Sequence, residues 1–321
     1  MNLLDKVLKP VRVYRYNKNH PMIPEWSLDD RVSYIMKRYR DSMGYEFDIC
    51  SPRSFTEKIQ WYEIFYDIPG IEDLVDKYLF KDYIKRKLGE GYTIPLYGAW
   101  DNIRDFRAAY AGLPNQFVLK STIQGDGKYV KIIRDKSIVD YYELESLMRS
   151  WLDPRNTLIN SLCRAYYRTM PRILAEEYME QVDNQIYDYK IFCFDGVPYC
   201  FYVATDHFPG QLSHISFYDL DWNRMDVKYG KHPQCDVEKP KHFNEMLSIA
   251  KELSNGFPFI RVDFFEVGDR IYVAELTLYP GGGKTPYHPE SFNRELGDMF
   301  HLENCRSEVY DEYLQIVHAK Q

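Results

Sequence analysis

Apolar positions early in the chain recur at helical intervals, and from Gln116 onward they fall into short runs and alternations. Ser54 precedes Glu57 at capping-box spacing, and Phe55, Ile59, Tyr62 and Tyr66 then share one stripe, which predicts a helix of about three turns. A second helix is expected from Glu72, with Val75, Leu79 and Tyr83 aligned, and Gly89 ends it because glycine tolerates the left-handed conformation after a helix. The stretch from Tyr92 to Trp100, broken by Pro95, reads as strand and loop.

Beyond residue 116 the pattern predicts a hairpin, Phe117 to Lys120 and Tyr129 to Ile133, around a glycine loop from Ser121 to Gly127. A helix from Ser137 follows, with Ile138, Tyr141, Leu144, Met148 and Trp151 inward, then a strand from Ile173 to Met179. Ile186 to Phe194 alternates so that Asp188, Lys190 and Phe192 share a face, and Asp195-Gly196 signals a hairpin into Val197 to Val203. Lys241 to Ser254 is a predicted helix, two strands follow it, and a helical stretch past Pro289 closes the chain. The expected division is a mainly helical region over residues 1–100, a small α+β unit over 101–180 and a larger one over 181–321.

Composition narrows the chemistry. The 321 residues carry a net charge of -7, which argues against a nucleic-acid partner because phosphate binding needs a clustered basic surface. The six cysteines show no CxxC pair and no zinc-like spacing, so reduced thiols in a cytoplasmic protein are expected. No apolar run is long enough to span a membrane. The first eighteen residues combine Lys6, Lys9, Arg12, Arg15 and Lys18 with apolar positions; they read as a solvated start packed on the body, or as a peripheral contact with an anionic membrane surface.

The two strands after the 241–254 helix hold the densest candidate chemistry. Arg261 and Asp263 alternate onto one face of the first strand, Glu275 and Thr277 onto one face of the second, and Pro280-Gly281-Gly282-Gly283 follows. Mg²⁺ is usually held by one or two carboxylates plus substrate phosphates, an arginine can meet transferring phosphate charge, and glycines can offer N–H groups to an oxyanion. Asp263 meets Glu275 only if the connection has an odd loop over Val267, Gly268 and Asp269, or if a bulge intervenes.

Phe117-Val118-Leu119-Lys120, Leu174-Ala175-Glu176-Glu177-Tyr178, Asp188-Tyr189-Lys190, Arg261-Val262-Asp263 and Glu275-Leu276-Thr277 follow in the order of ATP-grasp ligases, which this chain resembles. With Ser51 to Trp61, Asp76-Lys77-Tyr78, Tyr218 to Trp222 and Gly256-Phe257-Pro258, the likeness is more specifically to TupA-like ATP-grasp proteins of bacterial polysaccharide gene clusters, over roughly residues 51–302. It implies an α+β ATP-grasp fold, two subdomains clasping ATP, preceded by a helical N-terminal region. It also implies an ATP- and Mg²⁺-dependent carboxylate–amine ligase working through an acyl phosphate, with a uronic acid or similar glycan carboxylate and an amino acid as partners.

Residue by residue, the resemblance implies that Lys77, Lys120, Glu176, Glu177, Tyr178, Met179 and Asp188 bind nucleotide, with Gly125 and Gly127 in a lid loop. Lys190 would sit near the terminal phosphate, Arg261 on the transferred group, and Gly281 and Gly282 on the acyl phosphate. Asp263, Glu275 and Thr277 would hold Mg²⁺, although the usual pattern has asparagine where Thr277 stands. Arg53 and Lys58, opening the first predicted helix, are expected to face the cleft and meet an anionic acceptor. The rival readings are a polysaccharide glycosyltransferase, for which Asp219-Leu220-Asp221 is the one DxD candidate, and a non-catalytic ATP-binding protein of the same pathway.

Overall fold

The computed structural model describes residues 26–123, 129–153, 164–167, 169–179, 187–205, 212–305 and 307–319. The basic first eighteen residues, Gly125, Gly127, Ile186 and His207 lie outside them. The helices are α1 (Leu28–Met43), α2 (Phe55–Phe65), α3 (Leu79–Leu88), α4 (Ile103–Tyr110), α5 (Tyr141–Leu152), α6 (Phe243–Ser254), α7 (Glu290–Met299) and α8 (Glu308–Ala319), besides single turns. The strands are β1 (Leu96–Trp100), β2 (Phe117–Ser121), β3 (Val130–Ile133), β4 (Ile173–Glu177), β5 (Asp188–Phe194), β6 (Val197–Thr205), β7 (His214–Tyr218), β8 (Lys228–Tyr229), β9 (Phe259–Val267), β10 (Arg270–Thr277) and β11 (Tyr287–His288). The described residues divide into two compact units, one within 69–179, the other within 26–68 and 187–319. No helix among the described residues is long and apolar enough to cross a membrane.

The first unit is a four-stranded antiparallel sheet in the order β1-β4-β2-β3. Phe117 and Leu119 of β2 and Ile173 and Ala175 of β4 point to one face, where Phe106 of α4 and Leu144, Met148 and Trp151 of α5 close the core. Strand alternation sends Lys120 and Glu176 to the other face. Two expected helices differ in their starts. The helix expected from Glu72 breaks at Asp76, whose carboxylate instead accepts from the N–H groups of Tyr78 and Leu79 and caps α3. The one expected from Ser137 begins at Tyr141, because Asp140 caps Tyr142 and Glu143, and this leaves Ile138 81% exposed rather than inward.

The second unit is a five-stranded antiparallel sheet in the order β10-β9-β5-β6-β7. Asp195 and Gly196 both take positive φ in the turn from β5 to β6, as the Asp-Gly pair predicts. Cys193 of β5 reaches the Ala250 carbonyl, so α6 covers the face of Tyr189, Ile191 and Cys193. The opposite face carries Phe192 and Phe194, on which α2 lies through Phe55, whose ring sits 4.9 Å from that of Phe259. The capping box of Ser54 and Glu57 starts α2, and ten of its eleven residues are buried, each large apolar side chain contributing about 1.5–3 kcal/mol. The face that carries Phe192 and Phe194 beneath α2 carries Lys190 and Asp188 at its other end.

The β9–β10 turn has two residues, Gly268 and Asp269, with Val267 paired to Arg270. A regular ladder would then set Asp263 against Ala274. A bulge between Val273 and Glu275 shifts the parity, so that Glu275 opposes Asp263 and Thr277 opposes Arg261.

Candidate active site

In the second unit, Asp263 is fully buried and opposes Lys190 on β5 and Glu275 on β10. Arg261, two residues along the same face, holds the Asp263 carboxylate with both teeth of its fork: Nε donates to Oδ1 at 2.7 Å and Nη2 to Oδ2 at 2.6 Å. Lys190 Nζ lies 2.6 Å from the same Oδ2 and 2.6 Å from Asp188 Oδ2. Burial alone would raise the Asp263 pKa, but Arg261 and Lys190 outweigh it and hold the carboxyl below its ordinary range. Burial likewise works against the Lys190 charge, and Asp188 with Asp263 overcomes it.

Tyr202, on β6, accepts from Arg261 Nη1 at 3.2 Å and so fixes the far side of the guanidinium. Thr277 accepts from Arg261 Nη2 at 3.1 Å. That hydroxyl therefore helps to aim the arginine, a use that an asparagine ligand in its place would not imply.

Pro280 to Gly283 makes a tight turn in which Gly281, Gly282 and Gly283 all have φ near +58°, at 59°, 57° and 59°. A Cβ on Gly283 would stand 2.3 Å from Gln60 Nε2 and 2.7 Å from the Thr56 carbonyl, so the turn sits directly on α2. Gln60 Nε2 also donates to the Gly282 carbonyl at 2.7 Å, while the Gly282 N–H is committed to the Tyr279 carbonyl.

The donors suit Mg²⁺ accompanied by phosphate. Asp263 Oδ1 accepts one hydrogen bond and Oδ2 two, and a carboxylate has about four lone-pair sites, so by count one site on Oδ1 is left over. Among the described residues no three His, Cys, Asp or Glu side chains cluster as a metal cage. Two carboxylates supplemented by phosphate oxygens match the way Mg²⁺ is commonly held.

The first unit has a second buried cluster. Glu176 lies 2.6 Å from Lys120 and 2.5 Å from Lys81, and Lys81 also donates to the Ile94 carbonyl. Burial opposes the Glu176 charge, but the two ammonium groups prevail and bring its pKa from 4.5 down to about 2. The N–H of Glu177 bonds the Pro95 carbonyl at 2.9 Å, Tyr178 lies under Arg134, and Met179 ends this described stretch. The N–H of Lys77 bonds the Thr122 carbonyl, and neighbouring Asp76, fully buried, pairs with Arg172 at 3.1 Å.

Arg53 and Lys58 do not share one surface. Lys58 Nζ binds the carbonyls of Gly297 and Phe300 at 2.9 and 2.8 Å, closing the C-terminal end of α7, so the expectation that it meets an acceptor gives way to a helix-capping role. Arg53 is exposed and lines a cavity of about 350 Å³ with Tyr45, Ser54, Glu57, Glu290 and Arg294. Asp219 accepts from the N–H groups of Asp221 and Asn223 and organises its own turn.

Lys81, Gln60, Tyr202, Asp76 and Arg172 were not legible as site residues. Gln60 and Asp76 stand inside stretches that carry the family resemblance, but their partners, Gly282 and Arg172, are distant in sequence, as are those of Lys81 and Tyr202.

No curated protein matches the chain. Among solved structures, N5-carboxyaminoimidazole synthetase from Staphylococcus aureus, complexed with ADP, is 15% identical with a TM-score of 0.42, covering 73% of this chain and 52% of that one. D-alanine–D-alanine ligase from Helicobacter pylori is 17% identical with a TM-score of 0.41, covering 78% and 66% respectively. The D-alanine–D-alanine ligase from Bacillus anthracis is 17% identical with a TM-score of 0.36, covering 64% and 57%. The chain thus spans about half to two thirds of the length of these proteins. A family model described as TupA-like ATPgrasp matches residues 57–301, more than half of the sequence, from within α2 through the glycine turn to beyond α7, and the chain belongs to that family.

Proposed function

We propose that the protein is an ATP- and Mg²⁺-dependent carboxylate–amine ligase. The observation that carries this reading is the bulge-set pairing of Asp263 with Glu275 beside Arg261 and Lys190, in a chain of the ATP-grasp family. Asp263 and Glu275 would hold Mg²⁺, which supplies charge neutralisation for the phosphates. Lys120, Glu176, Glu177, Tyr178, Met179, Lys77 and Asp188 would bind the nucleotide, with Gly125 and Gly127 in a covering loop.

Arg261 is held at three points, by Asp263, Tyr202 and Thr277, and can keep its position while negative charge spreads over a transferring phosphoryl group. Lys190 offers a second fixed cation on the same face. In the proposed reaction a substrate carboxylate oxygen attacks the terminal phosphorus and ADP leaves. An amine then attacks the acyl carbon, loses a proton, and phosphate leaves with the C–O bonding electrons. Gly281 and Gly282 would line the acyl group.

We assign the carboxylate to a uronic acid or similar unit of a bacterial surface polysaccharide and the amine to an amino acid, with action at the cytoplasmic side of the assembly machinery. This assignment rests on the resemblance of residues 51–302 to the proteins of polysaccharide gene clusters; the family match itself carries the ATP-grasp class alone. A glycosyltransferase reading loses its DxD candidate to the turn that Asp219 organises. The test is ADP release with ATP, Mg²⁺, pooled uronic acids and pooled amino acids. Release that needs both pools is expected; AMP as product, or dependence on a sugar nucleotide, would sink the ligase reading.

A further inference from the structure

Two cations converge on the glycine turn from elements that the reading above leaves without a role. Arg38 comes from α1, which lies outside the family match, and Lys284 follows the turn directly. A Cβ built on Gly282 would stand 3.6 Å from Lys284 Nζ and 3.8 Å from Arg38 Nη2, so both charged ends crowd one backbone position. The carboxylate that acts on both is Glu63 of α2, whose Oε1 is 4.0 Å from Arg38 Nη1, beyond hydrogen-bond range.

Glu63 is 2% exposed, and among the described residues neither its Oε2 nor Arg38 Nη1 has a hydrogen-bond partner. Two positive charges therefore face one incompletely paired negative charge where water is scarce. Burial and the neighbouring Arg38 both push the Lys284 ammonium below its ordinary pKa, with Glu63 only partly opposing them. Like charges brought together in a half-buried place cost stability unless an opposite charge joins them. A fork beside a point charge suits an oxyanion with two acceptor oxygens.

We propose that Arg38 and Lys284 form an anion subsite at the glycine turn, and that its occupant is the carboxylate of the acceptor substrate rather than a phosphate of the nucleotide. The turn follows β10 directly, so the subsite lies next along the chain from Thr277, which bonds Arg261. The choice of occupant rests on the ligase reading; the existence of an anion site does not.

Calorimetric titration of the full chain with D-glucuronate, inorganic phosphate and uncharged glucose tests the proposal, with Mg²⁺·ADP titrated separately. Glucuronate binding without glucose binding is expected, weakened about tenfold or more in both Arg38→Gln and Lys284→Gln, the loss of one charge-assisted bond each. Lys284→Arg should keep most of it, and Mg²⁺·ADP affinity should stay within about twofold in all variants. The repulsion argument adds a second readout: Lys284→Gln should unfold at an equal or higher temperature than the parent chain. Glucuronate binding that is absent, or equal in parent and variants, overturns the subsite. Phosphate that displaces glucuronate, together with an ADP affinity that falls in the variants, reassigns it to nucleotide and overturns the occupant. Failure of the parent to bind Mg²⁺·ADP with glucuronate binding intact would remove the ligase reading and leave the anion site standing.

Discussion

Arg261 does two jobs that a substitution will not separate cleanly. It would stabilise transferring phosphoryl charge, and it also neutralises a carboxylate with no exposure to water. Removing one member of a buried pair typically costs about 3–5 kcal/mol, so Arg261→Ala should lower unfolding stability by that order as well as turnover. Arg261→Lys keeps a charge near Asp263 and should recover much of the stability; its turnover should remain roughly a hundredfold down, because a point charge lacks the planar fork. Urea unfolding alongside ADP release separates the two effects, and an Arg261→Lys enzyme with parental turnover would refute the assigned role. Glu176 gives the acid-side prediction. Its pKa falls from 4.5 to about 2 on folding, so its contribution is complete above pH 4.5 and is lost as the pH drops towards 2. Glu176→Gln leaves Lys81 and Lys120 without their counter-charge and should be less stable at neutral pH, with the gap to the parent closing between about pH 4.5 and 2. Denaturant midpoints across that range would show it, and a constant gap would contradict it.

At the scale of elements, the glycine turn and α2 are one assembly. Gly283→Ala combines positive φ with a clash against a backbone carbonyl and should cost about 2–4 kcal/mol. Gly282→Ala meets mainly the flexible end of Lys284 and should cost about 1 kcal/mol. Denaturant midpoints in the reverse order would mean that the turn does not rest on α2 as described. The strands, the Ser54 capping box and the Asp195-Gly196 turn were readable beforehand because each is specified by residues within a few positions of one another. The pairing of Asp263 with Glu275 was readable only as a choice between two devices, since a bulge at Ala274 leaves no compositional trace. Lys58 was misread for a related reason: a lysine at a helix start looks alike whether it meets a ligand or the carbonyls of Gly297 and Phe300, some 240 residues on.

For the whole molecule, the expected response to ligand is thermodynamic. Mg²⁺·ADP at a hundred times its Kd should stabilise the folded chain by about 2.7 kcal/mol, visible as a raised unfolding temperature, and EDTA should remove most of that shift. A shift indifferent to EDTA would count against Asp263 and Glu275 as metal ligands. The order of the chain has a consequence for its synthesis. Helix α2 belongs to the second unit, yet its aromatic partners lie at Phe192, Phe194, Phe259, Phe300, Tyr310 and Tyr313. At about 5–20 residues per second, a ribosome takes roughly 10–50 s to supply them after α2 emerges. During that interval Phe55, Ile59, Trp61 and Phe65 lack these later partners and have only α1 beside their helix, while residues 69–179 can already assemble their own core. A nascent chain is thus most sticky through a helix made early and used late, and heat or a shortage of chaperones should reduce yield before it harms any molecule that has finished folding.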